Sequence, residues 1–274
     1  MNKPNIKAVT FDLWETIILE RNGWSSKRMN VRCNNLAIEF NKFGIKTSKR
    51  QIRLAFTKMF SWLTDIWNTN KEVTHQDQIE FIIKSVLKNS LAVNRNLIYQ
   101  LSPAYTSAIF EVPPDLNPDA PKVLNWLKEQ NKKVGLISNT GLTPGFGLRE
   151  FLTKKNMAKY FDLMLFSDEI HVRKPDPRIF HIAAEKLQVN PHQIVHIGDN
   201  LKSDIQGSKN AEFQTIYLTT ETGKDIISES DPNSLVSISR IFNSLEEDQI
   251  IPDMIIQSLG MAIEAIKKLE ASGY

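Results

Sequence analysis

Short apolar, β-branched runs that each end in polar residues alternate with helical patterns over the second half of this sequence, and few folds accommodate that order. Lys133-Val134-Gly135-Leu136-Ile137 ends in Ser138-Asn139-Thr140-Gly141. Phe161 to Phe166, Ile194 to Ile197 (ending in Gly198-Asp199) and Thr215 to Leu218 follow. Helical patterns lie between them, around Arg178 to Leu187 and Leu201 to Lys209, and another runs through Val123, Leu124 and Leu127, opened by Asp119-Ala120-Pro121 as an N-cap with an early proline. One further run, Ile6 to Phe11, stands near the N-terminus and ends on Asp12. Strands alternating with helices predict an α/β fold with a mostly parallel sheet and right-handed crossovers.

The alternation is interrupted once. From about Ser26 to Ile109 apolar residues recur at helical spacing: Met29, Cys33, Leu36, Ala37 and Phe40, then Ile52, Ala55, Phe56, Met59, Phe60 and Leu63, then Ile79, Ile82, Ile83, Val86 and Leu87. A helical block on two connections reads as a separate small domain, and Pro113-Pro114 with Pro118 marks the linker that leaves it. The segment from Gly223 to Glu247 is polar and patternless, a surface excursion. An apolar stretch, Ile250 to Ile256, and an amphipathic helix through Leu259, Ile263, Ile266 and Leu269 close the chain.

Composition narrows the partners. A net charge of +3 is spread over the 274 residues with no basic block beyond pairs such as Lys132-Lys133 and Lys154-Lys155, which argues against nucleic acid and fits small anions. Cys33 is the sole cysteine, so an internal disulfide and a thiolate metal cluster are excluded. Asp12 and Glu15 interrupt the first apolar run, leaving no signal core, and no stretch is long enough to span a membrane. The expected setting is reducing and cytoplasmic.

In a parallel sheet, residues at the carboxyl ends of strands converge on one crevice. Those positions here hold Asp12 and Thr16, Ser138 and Asn139, Lys174, and Asp199 with Asp204. This set suits phosphoryl transfer through a covalent aspartyl intermediate. Asp12 would attack phosphorus, and a hard divalent cation held by Asp12 and Asp199 would offset the repulsion between anions. Lys174 would supply a fixed ammonium, and Ser138 with neighbouring amides would hold phosphoryl oxygens. Asp204 would bind the metal directly, through water, or by orienting Lys174. The plainer readings are a helix cap for Asp12 and a first-turn acid favoured by the helix dipole for Asp204.

Four stretches carry a family resemblance: Phe11-Asp12-Leu13-Trp14-Glu15-Thr16, Leu136-Ile137-Ser138-Asn139-Thr140, Arg173-Lys174-Pro175-Asp176-Pro177-Arg178-Ile179-Phe180, and His196-Ile197-Gly198-Asp199-Asn200 running on to Asp204 and Gly207. In order and spacing they resemble the four motifs of the haloacid dehalogenase-like hydrolase superfamily. The resemblance implies a Rossmann-like three-layer core from residues 1–18 and 111–274 and a mobile all-helical cap from 19–110. It implies Asp12 as nucleophile, Ser138 and Lys174 in catalysis, and Thr16, Asn139, Ser138 and Lys174 as substrate contacts. Mg²⁺ would be bound by Asp12, the backbone carbonyl of Trp14, Asp199 and, directly or at one remove, Asp204. The implied substrate is a small phosphorylated compound, and the implied assembly a monomer or homodimer.

The departures matter. The family's phosphatases usually carry a second Asp, the leaving-group acid, where this chain has Trp14, and glycine is common where it has Glu15 and Glu212. An indole donates no proton here, so general acid help typically worth about 10²- to 10⁴-fold is missing and good leaving groups are favoured. An aromatic residue at that position also suits the family's metal-independent 2-haloacid dehalogenases, although that branch typically lacks the acid that Asp199 supplies. A phosphate-binding member with little turnover is the third reading. Glu15 would line the entrance or partly replace the missing acid. His171 reads as a surface histidine, His196 as a hydrogen-bonded sheet residue, and Phe60, Trp62 and Trp67 as cap core. Arg28, Arg32 and Trp24 read as a solvated helix face near where a substrate-selecting group would approach.

Overall fold

Strand β1 (Ala8–Phe11) is buried at every position and pairs in parallel with β4 (Lys133–Ser138) on one side and β6 (Ile194–Gly198) on the other. A strand covered on both faces needs no polar face, which is why this run reads as continuously apolar. The computed structural model describes residues 5–87, 95–219 and 250–272. Beyond the central three strands lie β5 (Leu163–Phe166) on one edge and β7 (Gln214–Leu218) and β8 (Met254–Ile256) on the other, in the order β5-β4-β1-β6-β7-β8, all parallel. The apolar stretch before the last helix therefore contains a sixth strand, too short to declare itself by alternation.

Two helical layers cover the sheet. On one face α6 (Ala120–Glu129), α7 (Gly145–Lys154) and α11 (Ala262–Ser272) bury Val123, Leu124, Leu127, Leu148, Phe151 and Ile266 against Val9, Phe11 and Val134. On the other, α9 (Pro177–Leu187), which follows the one-turn α8 (Ser167–Ile170), packs Ile179, Phe180 and Ala183 against Ala8, Ile137 and Leu165. Asp176 starts α9 by accepting from Arg178 N at 2.9 Å. The expected cap at Asp119 is replaced: its carboxylate accepts instead from Gly260 N at 2.9 Å, tying α6 to the turn before α11. Helix backbone at Leu201–Gln206 takes π-helical turns and continues into the short α10 (Gly207–Lys209).

From Trp24 to Glu111 the described residues form five helices and their connections, with no strand among them: α1 (Trp24–Lys42), α2 (Lys49–Trp67), α3 (His75–Leu87), α4 (Arg95–Thr106) and α5 (Ala108–Glu111). Ser48 and Gln51 form a reciprocal capping box at the start of α2. The helices enclose their own apolar centre of Phe40, Phe56, Met59, Leu63 and Tyr105. Each such fully buried side chain contributes about 1.5–3 kcal/mol. The fold is thus an α/β Rossmann-like core with a helical cap.

The two passages between core and cap are joined to each other. β2 (Ile18–Leu19) pairs antiparallel with β3 (Asp115–Leu116), so the proline-flanked linker is half of a two-stranded ribbon. Asn117 extends it, donating from its main chain to Ile17 O and from Nδ2 to Thr16 O, both at 2.9 Å. Arg21 pairs with Asp115 across the ribbon. Arg28 and Arg32, expected on a solvated face, are buried: Arg28 holds Glu20 and Val112 O, and Arg32 donates to Tyr105 O at 2.9 Å. Their helix turns that face onto the ribbon and α4, which single-helix periodicity does not reveal. The polar segment between Gly223 and Glu247 lies outside the described residues. Among the described residues no helix is long and apolar enough to cross a membrane.

Candidate active site

The register sets Phe11 level with Leu136 and Ile197, so Asp12 emerges just past the ends of the central strands. Asp12 N donates to Ile197 O at 2.9 Å, continuing the sheet to the carboxylate itself. There Lys174 Nζ donates to Asp12 Oδ1 at 2.5 Å, Asp204 Oδ1 at 2.6 Å and Ile137 O at 2.8 Å. An ammonium has three N–H donors, and all three are engaged in buried bonds. Lys174 therefore acts in this geometry as a fixed charge between the two acids.

The loop that carries Lys174 is clamped from β4. Asn139 Oδ1 accepts from Lys174 N, and Asn139 Nδ2 donates to Lys174 O, each at 2.8 Å. Asn139, expected to meet substrate, spends its amide on this main chain. Asp204 is held from three directions: Oδ2 accepts from Asn200 N at 3.0 Å, and Oδ1 takes Lys174 and lies 3.4 Å from His196 Nε2. His196 Nδ1 lies 2.9 Å from Thr10 Oγ1, its partner in the β1–β6 register, so it is the hydrogen-bonded sheet residue expected and also a neighbour of Asp204. A Cβ on Gly198 would come within 2.4 Å of Asp204 Cγ, so only glycine lets that carboxyl pack so close. Ser138, the last residue of β4, is fully buried and donates weakly to Asn139 O at 3.4 Å. Thr16 is fully buried too, and its Oγ1 has no partner among the described residues.

Burial pushes the Asp12 carboxyl up to about 6, with the neighbouring Asp204 charge adding and Lys174 opposing. Burial acts the same way on Asp204, but Lys174 and His196 outweigh it and hold that group down at about 2. Lys174 is drawn down by burial and up, by more, by Asp12 and Asp204. Oxygen atoms of Asp12, Asp199 and Asp204 lie within 4.8 Å of one another. Three carboxylates against one ammonium leave negative charge in excess, and an all-oxygen donor set fits a hard divalent cation such as Mg²⁺.

The remaining residues sort by environment. Trp14 is half-buried, with the Arg28 guanidinium 5.5 Å from its ring centroid. Glu15 is buried, takes φ 57°, and accepts from Glu20 N at 3.1 Å, which points its carboxylate at the ribbon. Glu15 and Glu212 (φ 64°) both adopt the left-handed conformation, which explains physically why glycine suits these two positions. His171 is exposed. Phe60, Trp62 and Trp67 do pack in the cap core. Sequence reasoning missed the Asp204–His196–Thr10 chain and the Asn139 clamp, since no spacing rule links residues that come together from β1, β6, the helical turns after it and the loops after β4 and β5.

Comparison with known proteins agrees with this architecture. The model of the haloacid dehalogenase-like hydrolase family matches residues 6–212, and a second, HAD-hydrolase-like model matches residues 171–260. The phosphorylated carbohydrates phosphatase of Thermotoga maritima is 32% identical over 134 residues, which is 48% of this chain and 60% of that protein. The chain spans between 40% and 60% of the length of the curated relatives it matches. Among solved structures, a 2-haloacid dehalogenase from Pseudomonas syringae superposes with a TM-score of 0.65 at 17% identity, covering 96% of this chain and 99% of that one. A HAD phosphatase from Thermococcus onnurineus superposes at 0.60 with 20% identity, covering 95% and 97%. At these identities the structural likeness concerns the fold.

Proposed function

Since the chain belongs to the haloacid dehalogenase-like hydrolases, we propose that it is a phosphohydrolase for a small phosphorylated compound, working through an aspartyl-phosphate at Asp12. The observation that carries this reading is the buried Asp12–Lys174–Asp204 constellation, with Asp199 in reach, at the carboxyl ends of the central strands. Asp12 Oδ2, which Lys174 does not engage, attacks phosphorus in line as the ester P–O bond breaks, and the leaving group departs as its oxyanion and takes a proton from water. Water then attacks the phosphorus of the acyl phosphate, releasing phosphate and restoring the carboxylate.

Asp12 and Asp199, with the Trp14 carbonyl, would hold Mg²⁺, which when bound neutralises charge on the phosphoryl oxygens. Asp204 acts at one remove: its oxygens already serve Lys174, His196 and Asn200, so its work is to keep the ammonium aimed at Asp12. Ser138 and the amides after β4 receive the phosphoryl oxygens. The cap over this site comprises residues 19–110. Trp14 leaves the departing alcohol without an acid, and Glu15 faces the ribbon, so turnover favours substrates with good leaving groups.

Hydrolysis of p-nitrophenyl phosphate and an acyl phosphate, with and without Mg²⁺, tests the reading. Mg²⁺-dependent turnover that Asp12→Asn abolishes in a folded protein is expected; turnover retained by Asp12→Asn overturns it. One observation favours a second reading, in which Asp12 displaces halide from a 2-haloacid: an aromatic residue, Trp14, stands two places after it. Halide release from 2-chloropropionate in excess EDTA would select that chemistry, and none is expected.

A further inference from the structure

The loop between α2 and α3 presents Glu72, whose side chain is fully buried. Glu72 Oε1 accepts from two cap donors, Trp67 Nε1 at 2.9 Å and Val73 N at 2.8 Å. The same carboxylate takes Arg173 NH1 from the core, at 3.0 Å to Oε1 and 3.1 Å to Oε2, and the guanidinium lies 4.4 Å from the Trp67 ring centroid. Arg173 is the residue before Lys174. A socket made wholly of cap groups, an oriented carboxylate beside an aromatic ring, thus receives a plug from the core loop that carries the site's ammonium.

We infer that Glu72 and Arg173 are positioning residues for the proposed reaction: seating Arg173 in the Glu72–Trp67 socket fixes the Lys174 loop, so that closure of the cap and assembly of the Asp12–Lys174–Asp204 constellation are one event. The socket is preorganised, because Trp67 and Val73 hold the Glu72 carboxylate from its own side of the joint. The loop is held at two successive residues, Lys174 by the Asn139 clamp of the core and Arg173 by the cap. Losing the plug leaves Arg173 without its cap contact and the Lys174 main chain held by the Asn139 clamp alone across the two loops, and Nζ moves with its backbone. A second contact reinforces the joint at the loop after β4, where Gln78 Nε2 of the cap donates to Gly141 O at 3.0 Å.

The inference rests on Asp12 and Lys174 as reacting and positioning groups, and it is tested on the full chain with two independent readouts. The variants are Glu72→Gln, Arg173→Met, their double, and the milder Arg173→Lys, which keeps a charge but loses the fork. By backbone hydrogen exchange, Glu72→Gln alone should speed exchange in residues 68–74 and 171–176 together. With p-nitrophenyl phosphate each single variant should lower kcat about tenfold or more with little change in KM, and the double should be no worse than either single. Arg173→Lys should fall between. Exchange that rises in one loop only, losses that multiply in the double, or a wild-type kcat beside a lowered Tm would overturn the latch. The exchange readout needs no turnover, so it judges the latch even if the phosphohydrolase reading itself fails.

Discussion

Adding one methyl group at Gly198 should disable the site. A Cβ there would lie 2.4 Å from Asp204 Cγ, 2.5 Å from Oδ2 and 2.6 Å from Cβ, whereas ordinary contact begins at 3.4 Å. Something must therefore move by about 1 Å, a displacement that can cost about 10²-fold in rate when it falls on a positioned group. Gly198 is held by β6 in register with Tyr217 of β7, and Asp204 is the freer of the two. Moving its carboxyl away stretches the bonds to Asn200 N at 3.0 Å and Lys174 Nζ at 2.6 Å, and with them the support of Asp12. Overpacking of this kind costs about 1–3 kcal/mol in stability. Thermal unfolding by circular dichroism and kcat for p-nitrophenyl phosphate, measured well below the transition, read both effects for Gly198→Ala. Wild-type Tm together with wild-type kcat would refute the reasoning.

Other outcomes follow from single environments. Glu212 is exposed with φ 64°, so Glu212→Gly should stabilise by about 0.5–1 kcal/mol, read as a raised urea midpoint. Burial, with Arg32 adding, lowers His75 to about 4, so the fold holds it neutral; stability is complete above the unfolded value near 6.5 and falls by up to about 3 kcal/mol as pH drops toward 4, a slope that His75→Gln should flatten in urea titrations. Trp14→Asp should raise turnover of an alkyl phosphate relative to p-nitrophenyl phosphate by about 10²-fold, and an unchanged ratio would show that leaving-group protonation is not what Trp14 withholds.

What the chain declares in its sequence is what repeats along it. β1, β4 and β6 are buried runs that end in chemistry, β7 is a further apolar run, and the cap helices show apolar spacing, so the sheet, the cap and the convergence of Asp12, Lys174 and Asp204 were all legible. The two-residue strands β2 and β3 carry no periodicity, and β8 is three residues long, so the ribbon and the sixth strand come from pairing partners that sequence does not locate. Arg28 and Arg32 show the same limit from the other side. A charged helix face reads as solvated until the carbonyls of Val112 and Tyr105, far along the chain, are seen to accept from it. Glu15 and Glu212 stood out as residues where glycine is common, and their positive φ values supply the reason.

The covalent role of Asp12 is the centre of the account, and it can be observed directly. Acid-quenching the enzyme during turnover of p-nitrophenyl phosphate with Mg²⁺, then mapping peptides by mass spectrometry, should find the mass of one phosphoryl group on the peptide holding Asp12 and nowhere else. Steady turnover with that peptide unmodified, or with the phosphoryl group on another residue, would contradict it.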